Sequence, residues 1–130
     1  MIQTFFIVGP LPGLNEIIKA DRTGRYVGAR LKKQATKRVC EEIMAAKLTP
    51  IKGPVHLTII CGEPNRRRDP MNVTAGALKI LCDALIEMGI IEGDGWAVFG
   101  GEGGWTESVI LAPTGHPGGV SVSLREAGVI

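Results

Sequence analysis

Histidine is scarce in this chain of 130 residues, and it appears only as His56 and His116. There is no Gly-x-Ser-x-Gly elbow, no Gly-Lys-Ser/Thr loop and no paired-cysteine spacing, so hydrolase triads, nucleotide P-loops and zinc knuckles are set aside. The three cysteines, Cys40, Cys61 and Cys82, are odd in number, widely spaced and set in apolar surroundings. That pattern suits small buried hydrophobes in a reducing compartment rather than a disulfide framework. No apolar stretch approaches the roughly 20 residues of a membrane span. The opening segment MIQTFFIVGP lacks preceding basic residues and a small-residue cleavage pattern, so it reads as a buried strand. A cytoplasmic protein with no membrane partner is expected.

Net charge is only +2, but the charges are unevenly spread along the chain. Residues 1 to 79 carry 14 Lys or Arg against 6 Asp or Glu, whereas residues 80 to 130 carry 1 against 7. A basic first part could follow a phosphate backbone while later carboxylates hold cations. Ordinary solvated surface would give the same counts.

The length predicts one domain over 1–130. Thr4 to Val8 reads as a strand closed by Gly9-Pro10, and Leu11 to Asn15 continues as loop. Leu31, Ala35, Val39 and Ile43 recur every four positions and predict a helix between Gly28 and Lys47. Its other faces bear Arg30, Lys32, Lys33, Lys37 and Arg38. Val55 to Cys61 is the clearest strand, followed by a polar loop from Gly62 to Asn72. Leu78, Leu81, Leu85 and Met88 predict a second helix over about Thr74 to Met88. The glycine cluster from Gly100 to Gly104 suggests a mobile hairpin, and Val109 to Leu111 and Val120 to Leu124 are candidate strands. The expected fold is a two-layer α+β domain, in the order β-α-β-α-β-β, with helices packed on a small mixed sheet.

Chemistry concentrates in the loop Glu63-Pro64-Asn65-Arg66-Arg67-Arg68-Asp69-Pro70-Met71-Asn72. Three consecutive arginines cannot all be buried, and guanidinium forks bind phosphate oxygens bidentately. A carboxylate beside bound phosphate repels it unless a divalent cation intervenes, as in metal-assisted phosphodiester hydrolysis. Asp69 is therefore a candidate Mg²⁺ ligand, since Mg²⁺ commonly takes one or two carboxylates plus phosphate and water. An Asx-type turn at Asp69-Pro70 is the structural alternative. Asp94, in the turn Glu92-Gly93-Asp94-Gly95, could be brought back beside Asp69 if the second helix packs along the preceding strand. Lys79 and Asp83 share a helical face four residues apart, in the less favourable order for a helix-stabilising pair. Trp96 and Trp105 could stack on a base, although packing is commoner for such residues.

Taken together, Arg66-Arg67-Arg68-Asp69-Pro70-Met71-Asn72, Lys79-Ile80-Leu81-Cys82-Asp83-Ala84-Leu85 and Gly89-Ile90-Ile91-Glu92-Gly93-Asp94 resemble the RusA family of Holliday junction resolvases, in a phage or prophage form. The family pattern is an arginine run leading to Asp, an Asn three residues on, a helix with Lys four residues before Asp, and an acidic turn. Weaker likeness flanks it, in Gly13-Leu14-Asn15-Glu16 and in Pro117-Gly118-Gly119-Val120-Ser121-Val122. The resemblance implies a RusA-like α+β homodimer that nicks four-way or related branched DNA symmetrically with Mg²⁺ or Mn²⁺, as in DNA recombination and repair. It implies Asp69, Asp94 and Asp83 as acidic metal-site residues, Lys79 as the catalytic lysine, and DNA contacts from Arg66, Arg67, Arg68, Asn72, Lys33, Lys37 and Asn15. Two positions depart from the pattern. Met71 stands where many members carry a second acid, and Gly93 where a common Asp-Asp pair begins. A branched-DNA-binding protein of the same fold with weakened or lost cleavage is the alternative. A protein-interaction module with an incidental arginine run is the third reading.

Overall fold

A computed structural model describes residues 1–100, 103–113 and 116–127. The elements run β1 (Gln3–Val8), α1 (Leu14–Thr23), α2 (Arg25–Ala46), β2 (Val55–Gly62), α3 (Pro70–Glu87), α4 (Trp96–Phe99), β3 (Trp105–Leu111) and β4 (Gly119–Glu126). The four strands form one mixed sheet in the order β1-β4-β2-β3. β4 pairs antiparallel with both β1 and β2, whereas β2 and β3 are parallel, so α3 and α4 lie in a crossover connection.

An α+β fold with helices on a mixed sheet is therefore observed, but the order is β-α-α-β-α-α-β-β and not the expected β-α-β-α-β-β. Two short helices account for the difference. α1 begins at Leu14, inside the segment read as loop, directly after Pro12-Gly13, and buries only Ile17. α4 is a single turn between the acidic turn and the glycine cluster, of which residues 101–102 lie outside the described residues. α2 begins three residues ahead of its predicted start, at Arg25, and buries Ala35, Val39 and Ile43 as its periodicity predicted. α3 starts earlier than expected because Pro70 suits the first helical position, where its missing N–H costs no helical bond.

Alternation in the strands defines one covered face. Phe5 and Ile7 of β1, Val55, Leu57, Ile59 and Cys61 of β2, and Val120, Val122 and Leu124 of β4 point into a single core with Val39, Ile43, Ile80, Leu81 and Leu85. The opposite face carries Phe6, Val8, Ile60, Val109 and Leu111, all substantially exposed. Cys40, Cys61 and Cys82 are free, and the last two are buried. No helix among the described residues is long and apolar enough to cross a membrane.

Two glycines let the loop before α1 press against α3. A Cβ on Gly76 would lie 2.2 Å from the Pro12 carbonyl oxygen, and one on Gly13 would lie 2.8 Å from Asn72 Oδ1. A glycine in the middle of a helix lowers its intrinsic stability, and here it is required by backbone contact. This contact seats α1 on the head of α3, next to the arginine loop.

Candidate functional site

The arginine loop leaves the carboxyl end of β2 and enters the head of α3. Its shape is set by Arg68. Arg68 donates from Nε and Nη2 to the two carboxylate oxygens of Glu63, at 2.8 and 2.9 Å, and from Nη1 to the Leu11 carbonyl, at 2.9 Å, and to Glu16. Glu63 is buried, so this bidentate pair neutralises a charge that could not stand there alone. The Glu63 bond holds the guanidinium even further above its ordinary range. Arg68 was expected to meet DNA phosphate, yet four of its five N–H donors are engaged inside the protein. Its task in the fold is to tie the loop to β2 and α1.

Arg66 and Arg67 differ from it. Both are exposed, and among the described residues neither pairs with a carboxylate. Asn65 Oδ1 accepts the Arg67 backbone N–H at 2.9 Å, which places the Asx turn at Asn65 rather than at Asp69. Asp69 is the N-cap residue of α3, but its side chain makes no capping hydrogen bond. Its exposed carboxylate has no hydrogen-bond or ion-pair partner among the described residues. Asn72 and Asn15 are joined, since the Asn15 backbone N–H donates to Asn72 Oδ1 at 2.6 Å. Both serve to join α1 and α3. Met71 is 80% exposed beside them.

A cleft of about 310 Å³ opens at this point, between the arginine loop, the head of α3 and the carboxyl ends of the parallel strands β2 and β3. Asn65, Arg66 and Asp69 form one wall, and Leu111, Ala112 and Pro113 the other. Crevices at the carboxyl ends of parallel strands are where open α/β sheets bind ligands. The cleft's strand wall was not foreseen, because nothing local to Leu111 to Pro113 marks it.

The other expected site residues gather elsewhere. Lys79 Nζ lies 3.3 Å from Asp83 Oδ1, one turn along α3. Burial, then the charges of Asp94 and Asp83, push the Cys82 thiol up to about 12, so both carboxylates lie within electrostatic reach of that buried sulfur. Lys33 and Lys37 line a groove of about 450 Å³ between α2 and α3, together with Lys32, Asp83 and Glu87. Asp94 borders a shallow recess with Trp96, which is 86% exposed. Trp105 instead packs on His56, with ring centroids 4.4 Å apart. The His56 Nε2 meets the Gly103 carbonyl, whereas its Nδ1 is buried without a partner among the described residues.

The expectation that Asp69 and Asp83 share a metal is corrected by helix geometry. Fourteen residues at 1.5 Å each separate them by about 21 Å along α3, whereas ions of a two-metal centre sit about 4 Å apart. Lys79 is about 15 Å from Asp69 by the same rise. Among the described residues no group of three His, Cys, Asp or Glu side chains is placed to hold an ion. The donor set fits Mg²⁺ in a narrower sense, as one exposed carboxylate completed by water and substrate phosphate. Asp69 offers such a carboxylate in the cleft, and Asp94 one near Cys82. No protein-family model matches this chain, and no curated protein matches it.

Proposed function

We propose that this protein is a structure-specific endodeoxyribonuclease of the RusA type, acting on four-way or related branched DNA with Mg²⁺ or Mn²⁺. The observation that supports it best is the uncapped Asp69 carboxylate, which shares a cleft with Arg66 at the carboxyl edge of the parallel strands. Arg66 and Arg67 would grip the phosphates flanking the cut, by charge and shape rather than base sequence. Asp69 would hold Mg²⁺, which when bound supplies an activated water and neutralises phosphate charge. DNA lying along α3 would meet Lys79, held by Asp83, and then Lys33 and Lys37 across the groove. Asp94 is the second candidate ligand.

A four-way junction has two-fold symmetry in its nicked strands, which an isologous homodimer matches. The open apolar sheet face around Phe6, Ile60 and Val109 suits such a contact, since apolar patches of this kind mark interaction sites. Phe6→Asp should shift the sedimenting species from two chains to one. A wild-type chain that sediments as a monomer would remove the dimer.

The second reading is a branched-DNA-binding protein of the same fold with weak or no cleavage. It is favoured by the separation of Asp69 from Asp83 and by the exposed Met71 where the family pattern has an acid. Both readings are tested on a labelled synthetic junction with Mg²⁺, measuring binding and nicking of wild type, Asp69→Asn and Asp94→Asn. Loss of nicking with binding retained in Asp69→Asn supports the nuclease. Tight binding without nicking by wild type supports the second reading, and absence of both defeats the two together.

A further inference from the structure

The cleft beside Asp69 has two unlike walls, and phosphate binding explains only one of them. Leu111 is 54% exposed at the end of β3, and with Ala112 and Pro113 it makes an apolar surface facing a loop of charged and amide groups. Asn65 lines the other side. Its Oδ1 is held by the Arg67 N–H, while its amide NH₂ has no hydrogen-bond partner among the described residues. That leaves two N–H donors available at the cleft. Glu63 and Arg68 also border it, but each satisfies the other, so they add no free charge. Arg66 lines the cleft, Arg67 follows it in the exposed loop, and among the described residues neither pairs with a carboxylate.

An apolar slot with amide donors and a guanidinium at the mouth is complementary to a flat, weakly polar ring attached to a phosphate. The volume, about 310 Å³, is at the small end for ligand pockets. It suits one ring system and not a base pair. The geometry points to a subsite for a single unpaired nucleobase, its face against Leu111 to Pro113, its acceptor edge at Asn65 and its phosphate at Arg66. This inference rests on the reading of the protein as a branched-DNA nuclease and adds how branching is recognised. Extracting a base from continuous duplex costs pairing and stacking, and the cost is least where these are already interrupted. A base beside a branch point therefore enters the slot readily. A base inside uninterrupted duplex does not.

The test uses synthetic four-way junctions with 2-aminopurine at each nucleotide around the branch in turn, bound in EDTA so that no strand is cut. Wild type should change the fluorescence severalfold at one position and leave the others near their free values. Ala112→Leu narrows the slot without adding charge or an aromatic surface. Asn65→Asp keeps the oxygen that holds the Arg67 turn and removes the donors. Each variant should abolish the fluorescence change and reduce the preference for junction over duplex by about tenfold, in line with loss of one stacked base. Wild-type binding with no change at any position overturns the subsite but leaves the nuclease reading in place. A wild-type signal in Asn65→Asp and in a folded Ala112→Leu also overturns it. If wild type binds neither junction nor duplex, the underlying reading fails as well.

Discussion

At the head of α3, Asp69 makes no capping bond and, among the described residues, Arg66 and Arg67 meet no carboxylate, whereas further along the helix Lys79 and Asp83 are bonded at 3.3 Å. Charge left unpaired on one side of a cleft is available to a ligand. Charge already paired is partly satisfied and shapes the surface instead. The arginine run repeats this contrast within three residues, because Arg68 is held by Glu63 and Glu16 while its two neighbours pair with no carboxylate among the described residues. Residue type alone does not separate these roles; the presence or absence of a partner does.

The contrast between the two ends predicts a large difference in cleavage. Asp69→Asn should lower the nicking rate by at least about a hundredfold, beyond what losing an outer-shell partner of a metal usually costs. Asp83→Asn should lower it by less than about tenfold, since Lys79 keeps its charge and Asp83 is not at the cleft. Equal losses in single-turnover assays would place both carboxylates in the chemistry and break the comparison.

A second difference concerns stability. Arg68→Met leaves Glu63 buried and unpaired, and should reduce the unfolding free energy by about 3 kcal/mol. Arg66→Met should change it by less than about 0.5 kcal/mol. Urea denaturation of the two variants measures this, and adding Glu63→Gln to Arg68→Met should recover part of the loss. Similar stability for both single variants would mean that the Arg68 network is not what holds the loop.

The contact that seats α1 can be strained without touching any charge. Gly76→Ala forces a methyl group toward the Pro12 carbonyl, and overpacking of this kind costs about 1–3 kcal/mol. Hydrogen exchange should show α1 and the arginine loop opening more often than β2. An unchanged exchange pattern would separate the head of α3 from its glycine contact.

The smallest effect is alkaline. Burial pushes the thiols of Cys61 and Cys82 up to about 11 and about 12, with Glu63 adding at the head and Asp94 and Asp83 farther along. A thiol raised above its unfolded value favours the neutral form in the fold. Its contribution is complete below the ordinary value of 9.0 and is lost as pH rises from there toward 11 to 12. At pH 9 the loss is about 0.4 kcal/mol per thiol, from half-ionisation of the unfolded group. Denaturant midpoints from pH 8 to 10 should fall more gently in Cys82→Ala than in wild type. Parallel curves would show that Cys82 does not titrate on unfolding.

Much of the scaffold was legible in local pattern. The four-residue stripe of α2 and the alternation of β2 report which faces are buried, because helix and strand periods convert spacing directly into direction. α4 escaped because four residues are too few to show a period, and α1 because it follows directly on Pro12-Gly13, which reads as loop. The charged and polar candidates at the head of α3 were also legible as residue types. Their partners were not, since Arg68 meets Glu16 and Leu11 from more than fifty positions away in sequence. Likewise Leu78 and Met88 read as core, yet they are only partly buried, while Val73, Ala77 and Ile80 face the packing elements. α3 lies against α1, α2 and the sheet together, so its buried face is wider than a single stripe.

The sequence by itself determined that this protein is an α+β chain with a basic first part and an arginine loop ahead of a helix, because composition, period and turn chemistry are properties of neighbouring residues. Only the tertiary structure decided which arginines are free, that Asp69 and Asp83 stand at distant points of one helix, and that the end of β3 supplies the cleft's apolar wall. Ion pairing, separation and concavity depend on distances between residues far apart in the chain, and those are fixed only when the core closes.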